Sequence, residues 1–378
     1  MELIRDDDTA VTKLMNADDR ELDTEDAIER SDADAANTGG AEDRHSNLAD
    51  IAEAAGVSIS TVSRALRGSG GVSSSTTKRI QDLADNLSYK AKGKSAETYS
   101  LQCLVSMALF ETDAAGFYRE IIEAIEAEAD ACGHHLTLTF LEEEADNVSR
   151  IRGMARDDCQ TGFLLVGIDD ELQRETAASV GEIILVNASD TAMRYDGVTP
   201  ANRRGAFLGT KHLIELGHRR IAHFSWSKRQ TIRDRFLGYQ AALLDAGIPF
   251  DPDLVFEVKN LRPYDAAYAA REALTAGKLD ATGIFCASDL VAVGVISALL
   301  GEGLSVPQDY SIVGFDNTRI TARHKPGLTT LSVALPQVGR ESVRRLIERI
   351  RNPQLVPSDT HVGCQLVERM STKRLNSD

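Results

Sequence analysis

The sequence has few cysteines, few aromatic residues and no long apolar run. Its five cysteines lie at positions 103, 132, 159, 286 and 364, with no close pair. This spacing is typical of reduced thiols and provides neither a disulfide framework nor a zinc site. The longest apolar run, residues 290–300, is too short to span a bilayer. A charged-then-apolar leader is also lacking, so we expect a cytoplasmic protein with no membrane partner.

Motifs that carry catalytic or cofactor chemistry are lacking as well. The sequence contains no HExxH and no CxxC, and no GxGxxG follows the first predicted strand. Gly93-Lys94-Ser95 resembles the end of a phosphate-binding loop, but Ser88 stands where that loop requires its first glycine. We therefore expect no cofactor, no metal and no enzymatic activity.

Composition and charge divide the 378 residues into unlike parts. Hydrophobic residues make up 42% and charged residues 26%, which is ordinary for a globular protein of two or three domains. Residues 1–44 contain 15 acidic and 5 basic residues, a net of −10 out of −16 for the chain. So acidic a segment cannot bury enough apolar surface to offset chain entropy, and we predict that it is a disordered extension.

The stretch from Asn47 to Arg67 carries the clearest local pattern. Apolar residues at three- and four-residue spacing predict a short helix that begins after Asn47 and ends at Gly56. Ser58 can cap a second helix whose outer face is small and polar. Two short helices joined by a glycine turn form the helix-turn-helix pattern, which we predict over Leu48 to Arg67. The alternative is an ordinary helical hairpin with solvated serines.

The chemistry of the second helix favours DNA. Residues 45–95 contain seven basic and four acidic residues, a basic island in an acidic protein. Hydroxyl groups on that outer face suit phosphate oxygens and base edges, and Arg64 can form two hydrogen bonds to guanine. Ser73 is expected to cap a third helix whose Ile80 and Leu83 close a small core.

The stretches GVSISTVSRAL (56–66) and VSSSTTKRI (72–80) resemble the LacI/GalR bacterial transcriptional regulators. The resemblance extends to about Arg369. It implies a headpiece at residues 45–90 that inserts its second helix into the major groove of a near-palindromic operator, as a homodimer or a dimer of dimers. The implied DNA contacts are bases at Ile59, Ser60 and Arg64, and phosphates at Asn47, Ser58, Thr61 and Ser63.

The hinge segment, residues 91–100, departs from the family pattern. In the family, Tyr-x-Pro-Asn-x-x-Ala-x-x-Leu forms a hinge helix whose leucine wedges into the minor groove. After Tyr89 this sequence has Ala91 at the proline position and Thr98 at the leucine position. An apolar wedge is therefore not expected.

Residues 101–370 alternate short apolar runs with amphipathic stretches, which predicts α/β architecture with parallel, doubly wound sheets. The predicted strands are 101–107, 135–140, 162–166, 182–186, 220–224, 254–257, 283–287 and 311–314. By resemblance this is the two-lobed fold of periplasmic binding proteins. We place lobe 1 at 101–224 and 333–354 and lobe 2 at 225–332 and 355–370, with crossings near Ser225, Ser332 and Pro357.

Ligands of open α/β sheets lie at the carboxyl ends of the strands. Residues there that match effector-contact positions of the family are Arg235, Ser288, Asp289 and Asp316, with Phe117 and Tyr118 as aromatics and Trp226 at a crossing. A guanidinium with two carboxylates suits the vicinal hydroxyls of a sugar. For Asp289, capping of the next helix is an equal alternative.

Three classes of function remain, and the first is our prediction. It is a dimeric, sequence-specific repressor, associated with the bacterial nucleoid, whose operator affinity a sugar controls. The second is a sugar-binding module with a vestigial headpiece. The third is an enzyme that uses two cleft carboxylates as an acid–base pair, which the fused DNA-reading headpiece disfavours.

Overall fold

The structure is a computed structural model that describes residues 48–58, 61, 62, 64, 65, 72–86, 98–110, 115–142, 146–155, 160–318, 321 and 324–375. These residues fall into two compact units, one within residues 1–93 and the other within residues 94–378. The acidic extension, most of the hinge segment and four predicted DNA contacts (Asn47, Ile59, Ser60 and Ser63) lie outside the described residues.

The first unit contains most of the predicted helix-turn-helix. Its helices are α1 (Leu48–Ala55) and α2 (Ser74–Asn86), and residues 61, 62, 64 and 65 are helical between them. Arg67, the predicted end of the helix-turn-helix, lies outside the described residues, so the description of its second helix stops at Ala65 and that predicted boundary stays a prediction.

The described part of this unit ends its first helix where the sequence predicts and closes a small core. Gly56 has φ +60°, and the Val57 amide donates to the Ala52 carbonyl at 3.1 Å, so α1 ends as the glycine predicts. The core consists of Ile51, Ala52, Ala55, Val62, Ala65 and Ile80, with Leu83 packed against it.

The second unit is built from alternating strands and helices. Its strands are β1 (Ser100–Ser106), β2 (His135–Leu141), β3 (Thr161–Val166), β4 (Glu182–Val186), β5 (Asp196–Pro200), β6 (Ile221–Ser225), β7 (Val255–Glu257), β8 (Gly283–Cys286), β9 (Ser311–Asp316), β10 (Thr329–Val333), β11 (Asp359–Val362) and β12 (Cys364–Val367). The helices are α3 (Ala115–Ala131), α4 (Asn147–Arg152), α5 (Glu171–Val180), α6 (Asn202–Glu215), α7 (Gln230–Asp245), α8 (Pro263–Thr275), α9 (Asp289–Gly301) and α10 (Leu335–Arg351).

The strands form two six-stranded sheets among the described residues. The first has the order β11-β5-β4-β3-β1-β2 and the second β12-β10-β9-β8-β6-β7. Every pairing is parallel except that of β10 with β12. The eight predicted strands are all present. Six of them lie inside the sheets, where a parallel strand is buried on both faces and therefore appears as an apolar run, whereas β2 and β7 are edge strands. The predicted fold class is confirmed.

Two of the three predicted crossings between the lobes are wrong. Strand β6 pairs with β8, and α6 packs against α7 and β9, so the chain enters lobe 2 at Ala201 rather than near Ser225. It returns at Ala334, close to the predicted Ser332, because α10 packs on α3 and β4. The last crossing is at Gly363 rather than near Pro357, since β11 still pairs with β5 of lobe 1. Lobe boundaries follow strand pairing, which a local pattern does not encode.

Candidate functional site

The turn of the first unit is held by hydroxyl groups. The Ser58 hydroxyl lies 2.8 Å from the Thr61 hydroxyl and accepts the Thr61 amide at 3.2 Å. The Ser58 carbonyl accepts the amides of Thr61 and Val62. Ser58 therefore caps the second helix, as its sequence position predicts. Its side chain is exposed, as is that of Arg64 on the same helical stretch.

The third helix is capped in the same way, by the Ser73 hydroxyl, which accepts the Thr76 amide at 3.2 Å. Arg79 of α2 donates to the Ala55 carbonyl at 2.6 Å. This bond satisfies a carbonyl at the end of α1 and joins α1 to α2. The Arg79 guanidinium thus has a structural partner, whereas Lys78 and Arg64 lie exposed on the surface of this unit.

In the second unit, a cleft lies at the carboxyl ends of the strands of both lobes. It encloses a cavity of about 60 Å³. Lobe 1 contributes α3 and the residue after β4, and lobe 2 contributes the start of α7 and the residues after β8 and β9. The lining residues are Phe117, Tyr118, Asn187, Arg229, Thr231, Ile232, Arg235, Leu261, Ser288, Leu290, Asp316 and Thr318. Five of the six predicted effector residues are brought together here.

Arg235 is the most heavily bonded side chain of the cleft. It is 3% exposed and pairs with Asp316 at 3.0 Å. It also donates to the Asn202 side chain at 2.9 Å and to the Ala287 carbonyl at 2.6 Å. Its guanidinium carbon lies 3.7 Å from the centre of the Phe315 ring, a cation–π contact. Arg235 therefore holds the ends of β8 and β9 in register with α6.

Asp316 combines an unusual backbone with a perturbed carboxyl. Its φ of +117° is rare for a residue other than glycine and turns the chain sharply after β9. Burial raises the pKa of Asp316 to about 6, against the opposing effect of the Arg235 charge. This carboxyl takes up a proton more readily than an ordinary aspartate, and it accepts hydrogen bonds when ionised and can donate one when protonated. This suits recognition of a hydroxyl-bearing ligand.

The position of Asp289 differs from the one expected for an effector contact. It is fully buried, and its oxygens accept bonds from the Thr318 amide at 2.8 Å and the Thr330 hydroxyl at 2.5 Å. Burial, with the charge of Asp316 second, raises its pKa to about 8. It does not line the cavity. Its role is structural, but it is not the helix cap of the alternative prediction: Asp289 joins α9 to β10 and to the segment after β9.

Ser288, not Asp289, caps the following helix. Its hydroxyl accepts the Val291 amide at 3.3 Å, and the residue also lines the cavity. Phe117 and Tyr118 meet edge to face at 5.1 Å and belong both to the lobe 1 core and to the cavity wall. Trp226 packs against the lobe 2 core and does not line this cavity.

Sequence reasoning missed two polar side chains of the cleft. Arg229, at the start of α7, donates to the Tyr118 hydroxyl at 2.5 Å and pairs with Asp169 at 2.9 Å. Asn187, after β4, has φ +53° and a buried side-chain oxygen without a hydrogen-bond partner. The position of Asn187 at the end of a buried strand could have identified it. Arg229 carries no such signal, because its partners are far away in sequence.

Metal and membrane sites find no support among the described residues. No group of three or more His, Cys, Asp or Glu residues in that part of the chain is placed to hold a metal ion. No helix described is long and apolar enough to cross a membrane.

Comparison with known proteins matches both units. Residues 47–92 match the model of bacterial regulatory proteins of the lacI family, and residues 210–372 match that of periplasmic binding protein-like domains. The HTH-type transcriptional repressor PurR of Actinobacillus pleuropneumoniae serotype 3 (strain JL03) is 29% identical over 338 residues, which cover 87% of this chain and 99% of PurR.

Solved structures of transcription regulators also resemble this chain. The transcriptional regulator CelR in complex with cellobiose has a TM-score of 0.64 and 27% identity, covering 86% of this chain and 99% of CelR. The lac repressor dimer bound to operator and the anti-inducer ONPF has a TM-score of 0.64 and covers 87% of this chain and 100% of that chain; at 24% identity it shows the fold. The chain therefore belongs to the lacI family of bacterial regulatory proteins, which are DNA-binding transcription regulators and not enzymes.

Proposed function

We propose that this protein is a cytoplasmic transcriptional repressor whose affinity for an operator is controlled by a small effector held in the cleft. The observation that carries the proposal is the pairing of two parts in one chain. One is a capped helix-turn-helix that leaves Arg64 exposed. The other is a cleft in which Arg235 and Asp316 of lobe 2 face Tyr118 of lobe 1.

On DNA, the second helix lies in the major groove. Arg64, Ser60 and Ile59 contact bases, while Asn47, Ser58, Thr61 and Ser63 hold phosphates. Ser58 both caps the helix and presents an exposed hydroxyl, so it fixes the distance between the helix and the backbone of the DNA. Members of the family act as dimers, and a two-fold dimer requires a near-palindromic operator.

For the effector we propose a sugar. Arg235 donates to two protein acceptors and its charge is paired with Asp316, and the Asn187 side-chain oxygen lacks a donor. A ligand rich in hydroxyl groups supplies such donors, whereas a phosphate or carboxylate does not. Phe117 and Tyr118 provide an apolar wall for a sugar ring. The similarity to a regulator whose structure contains cellobiose points the same way.

The second candidate is a sugar-binding module with a weakened headpiece. It is favoured by Thr98, which stands where the family places its wedging leucine. Loss of that wedge removes a contribution to bending of the operator. The two candidates share a ligand site and differ only in DNA binding.

One experiment separates them. The purified full-length protein is used to capture sheared genomic DNA, and the bound fragments are sequenced, with Arg64→Ala as the matched control. Recovery of a shared near-palindromic sequence by the wild type but not by Arg64→Ala supports the repressor. Equal recovery of unrelated fragments by both proteins favours the module.

The effector class is tested by isothermal titration calorimetry against monosaccharides, disaccharides and purine bases. Binding of a sugar, with release or tightening of the captured operator, supports the proposal. Binding of a planar base in its place would overturn the sugar assignment while leaving the regulator intact.

A further inference from the structure

Arg229 is a lobe 2 residue whose hydrogen bonds and ion pair reach lobe 1. Its Nη1 donates to the Tyr118 hydroxyl at 2.5 Å, and its Nε lies 2.9 Å from an Asp169 carboxylate oxygen. Its Nη2 donates to the Asn187 carbonyl at 3.5 Å. Tyr118 lies on α3, Asp169 after β3 and Asn187 after β4. One guanidinium thus joins the first residues of α7 to three separate segments of the opposite lobe.

The lobe 1 partners are themselves held in place. Arg174 pairs with Asp169 at 3.2 Å and donates to the Ile168 carbonyl at 2.7 Å. The Asn187 side-chain amide donates to the Tyr118 hydroxyl at 3.4 Å. These bonds lie within lobe 1 and do not depend on the position of lobe 2. Lobe 1 therefore holds the acceptor groups for the Arg229 guanidinium in place by its own hydrogen bonds and ion pair.

The size of the cavity shows what this contact does to the cleft. Its volume of about 60 Å³ is far below the roughly 300 Å³ of an ordinary ligand pocket. The Arg229 side chain is only 12% exposed. A sugar-sized molecule can enter only if the lobes separate here, and separation breaks every bond between Arg229 and lobe 1.

We propose that Arg229, Asp169, Tyr118 and Asn187 form an interlobe clasp that keeps the cleft closed when no effector is bound. Asp169 is 52% exposed, so solvent screens its pairing, and the buried bond to Tyr118 contributes more. The clasp sets the closed–open equilibrium against which any effector must bind. This goes beyond the proposed function, because it concerns the protein without ligand and holds whatever the ligand is.

The test is hydroxyl-radical footprinting of the full-length protein without ligand, read by mass spectrometry. Phe117 is the reporter, since it lines the cleft and is 8% exposed. Phe163, which is fully buried in lobe 1 and does not line the cleft, is the internal reference. The variants are Arg229→Gln, Asp169→Asn and Tyr118→Phe.

Arg233→Gln is the matched control. Arg233 lies on the same helix, and its guanidinium donates to Gln230 and to the Ser227 carbonyl, both in lobe 2. We expect oxidation of Phe117 to rise roughly three- to tenfold in Arg229→Gln, less in Asp169→Asn, and not at all in Arg233→Gln. Oxidation of Phe163 should stay constant. Arg229→Lys should recover part of the protection, because a lysine keeps the charge but lacks the planar fork.

Two results would overturn the clasp. One is unchanged Phe117 oxidation in all three clasp variants. The other is a parallel rise at Phe117 and Phe163, which would mean that the bonds stabilise lobe 1 as a whole rather than its contact with lobe 2. If Arg229→Gln does not fold, the Phe117 oxidation of Asp169→Asn and Tyr118→Phe tests the clasp instead, since each variant removes one partner and keeps the arginine.

Discussion

At the scale of single residues, the cleft depends on carboxyl groups kept away from water. Asp289 is satisfied by Thr318 and Thr330, while Asp316 is neutralised by Arg235 and reaches the cavity. The same residue type thus has a structural task after one strand and a proposed ligand-binding task at the end of the next. The difference arises from neighbours that belong to other strands.

The first prediction concerns Asp316. Asp316→Asn keeps the shape and removes the charge, so it should weaken effector binding about 10- to 100-fold, since a hydrogen bond to a charged group contributes about 1.5–3 kcal/mol. Operator affinity without effector should change little. Calorimetry measures the effector affinity, and titration with operator DNA measures the operator affinity. Asp245→Asn, an exposed change on α7, is the control, and equal effector affinity in both variants would move the site elsewhere.

Arg64 carries the second prediction. Arg64→Ala removes an exposed side chain outside the headpiece core and should cost about 1–3 kcal/mol of specific binding per half-site. Lys78→Ala should instead weaken binding similarly on every sequence and lower the salt dependence. Titrations against specific and scrambled duplexes distinguish the two effects. A wild-type footprint from Arg64→Ala would contradict the assignment of the second helix.

The third prediction uses His223, which is fully buried and stacks on Phe236, Tyr239 and Phe285. Burial lowers its pKa to about 4, against about 6.5 in an unfolded chain. The unfolded state therefore binds more protons between these values. The contribution of neutral His223 is complete above about pH 6.5 and is lost as the pH falls toward 4, by up to about 1.4 kcal/mol per pH unit.

His223→Phe should remove this part of the pH dependence. Urea unfolding of both proteins at several pH values between 4 and 7.5 measures it. The difference in unfolding free energy between wild type and variant should shrink as the pH falls. His135→Gln, at an exposed position of β2, should show no such trend, and a pH-independent difference for His223→Phe would refute the prediction.

At the scale of elements, lobe 1 depends on the close approach of α3 and α10. A β-carbon added at Gly339 of α10 would lie 2.5 Å from the Ile121 carbonyl oxygen and 2.9 Å from the Ala124 β-carbon of α3. The same helix is tied to β5 by Arg345 and Arg349, which both pair with the buried Asp196. Because α10 is fixed on two sides, it cannot move away to make room.

Gly339→Ala should therefore destabilise the second unit by about 1–3 kcal/mol, as overpacking does. Gly116→Ala, on α3, is the control, because a β-carbon there meets nothing within 4 Å; it should be neutral or slightly stabilising. Thermal or denaturant unfolding measures both. Equal stability of the two variants would show that the helices separate without cost.

At the scale of the whole molecule, charge is distributed unevenly along the chain. Residues 1–44, with a net charge of −10, end four residues before α1, while residues 45–95 carry +3. Charges within a Debye length of about 8 Å interact in physiological salt. We therefore predict that the acidic extension competes with phosphate for Arg64 and Lys78. Arg79 takes less part, because its guanidinium is bonded to the Ala55 carbonyl.

Deleting residues 2–44 should therefore tighten DNA binding, with the larger gain at low salt, where charge competition is strongest. Titration of full-length and truncated protein against one operator at two salt concentrations tests this. Identical affinities at both concentrations would show that the extension does not compete for the headpiece.

Local signals in the sequence determined much of this protein. Gly56, Ser58 and Ser73 mark helix ends through their own backbone and hydroxyl chemistry, so the helix-turn-helix was predictable without any distant contact. Six of the eight predicted strands are central and were predictable because burial on both faces leaves an apolar run, whereas β2 and β7 are edge strands. Arg235 and Asp316 were identified by their positions at element ends and by family resemblance, and the structure places them 3.0 Å apart.

Tertiary structure alone decided the rest. Strands β5, β11 and β12 are short and mixed in composition, so they exist as strands only because neighbours pair with them. The crossings at Ala201 and Gly363 follow from that pairing. Asp289 could be assigned only once Thr318 and Thr330 were seen beside it, and Arg229 only once the opposite lobe was in place. A local pattern records which face of an element is buried, but not which distant segment covers it.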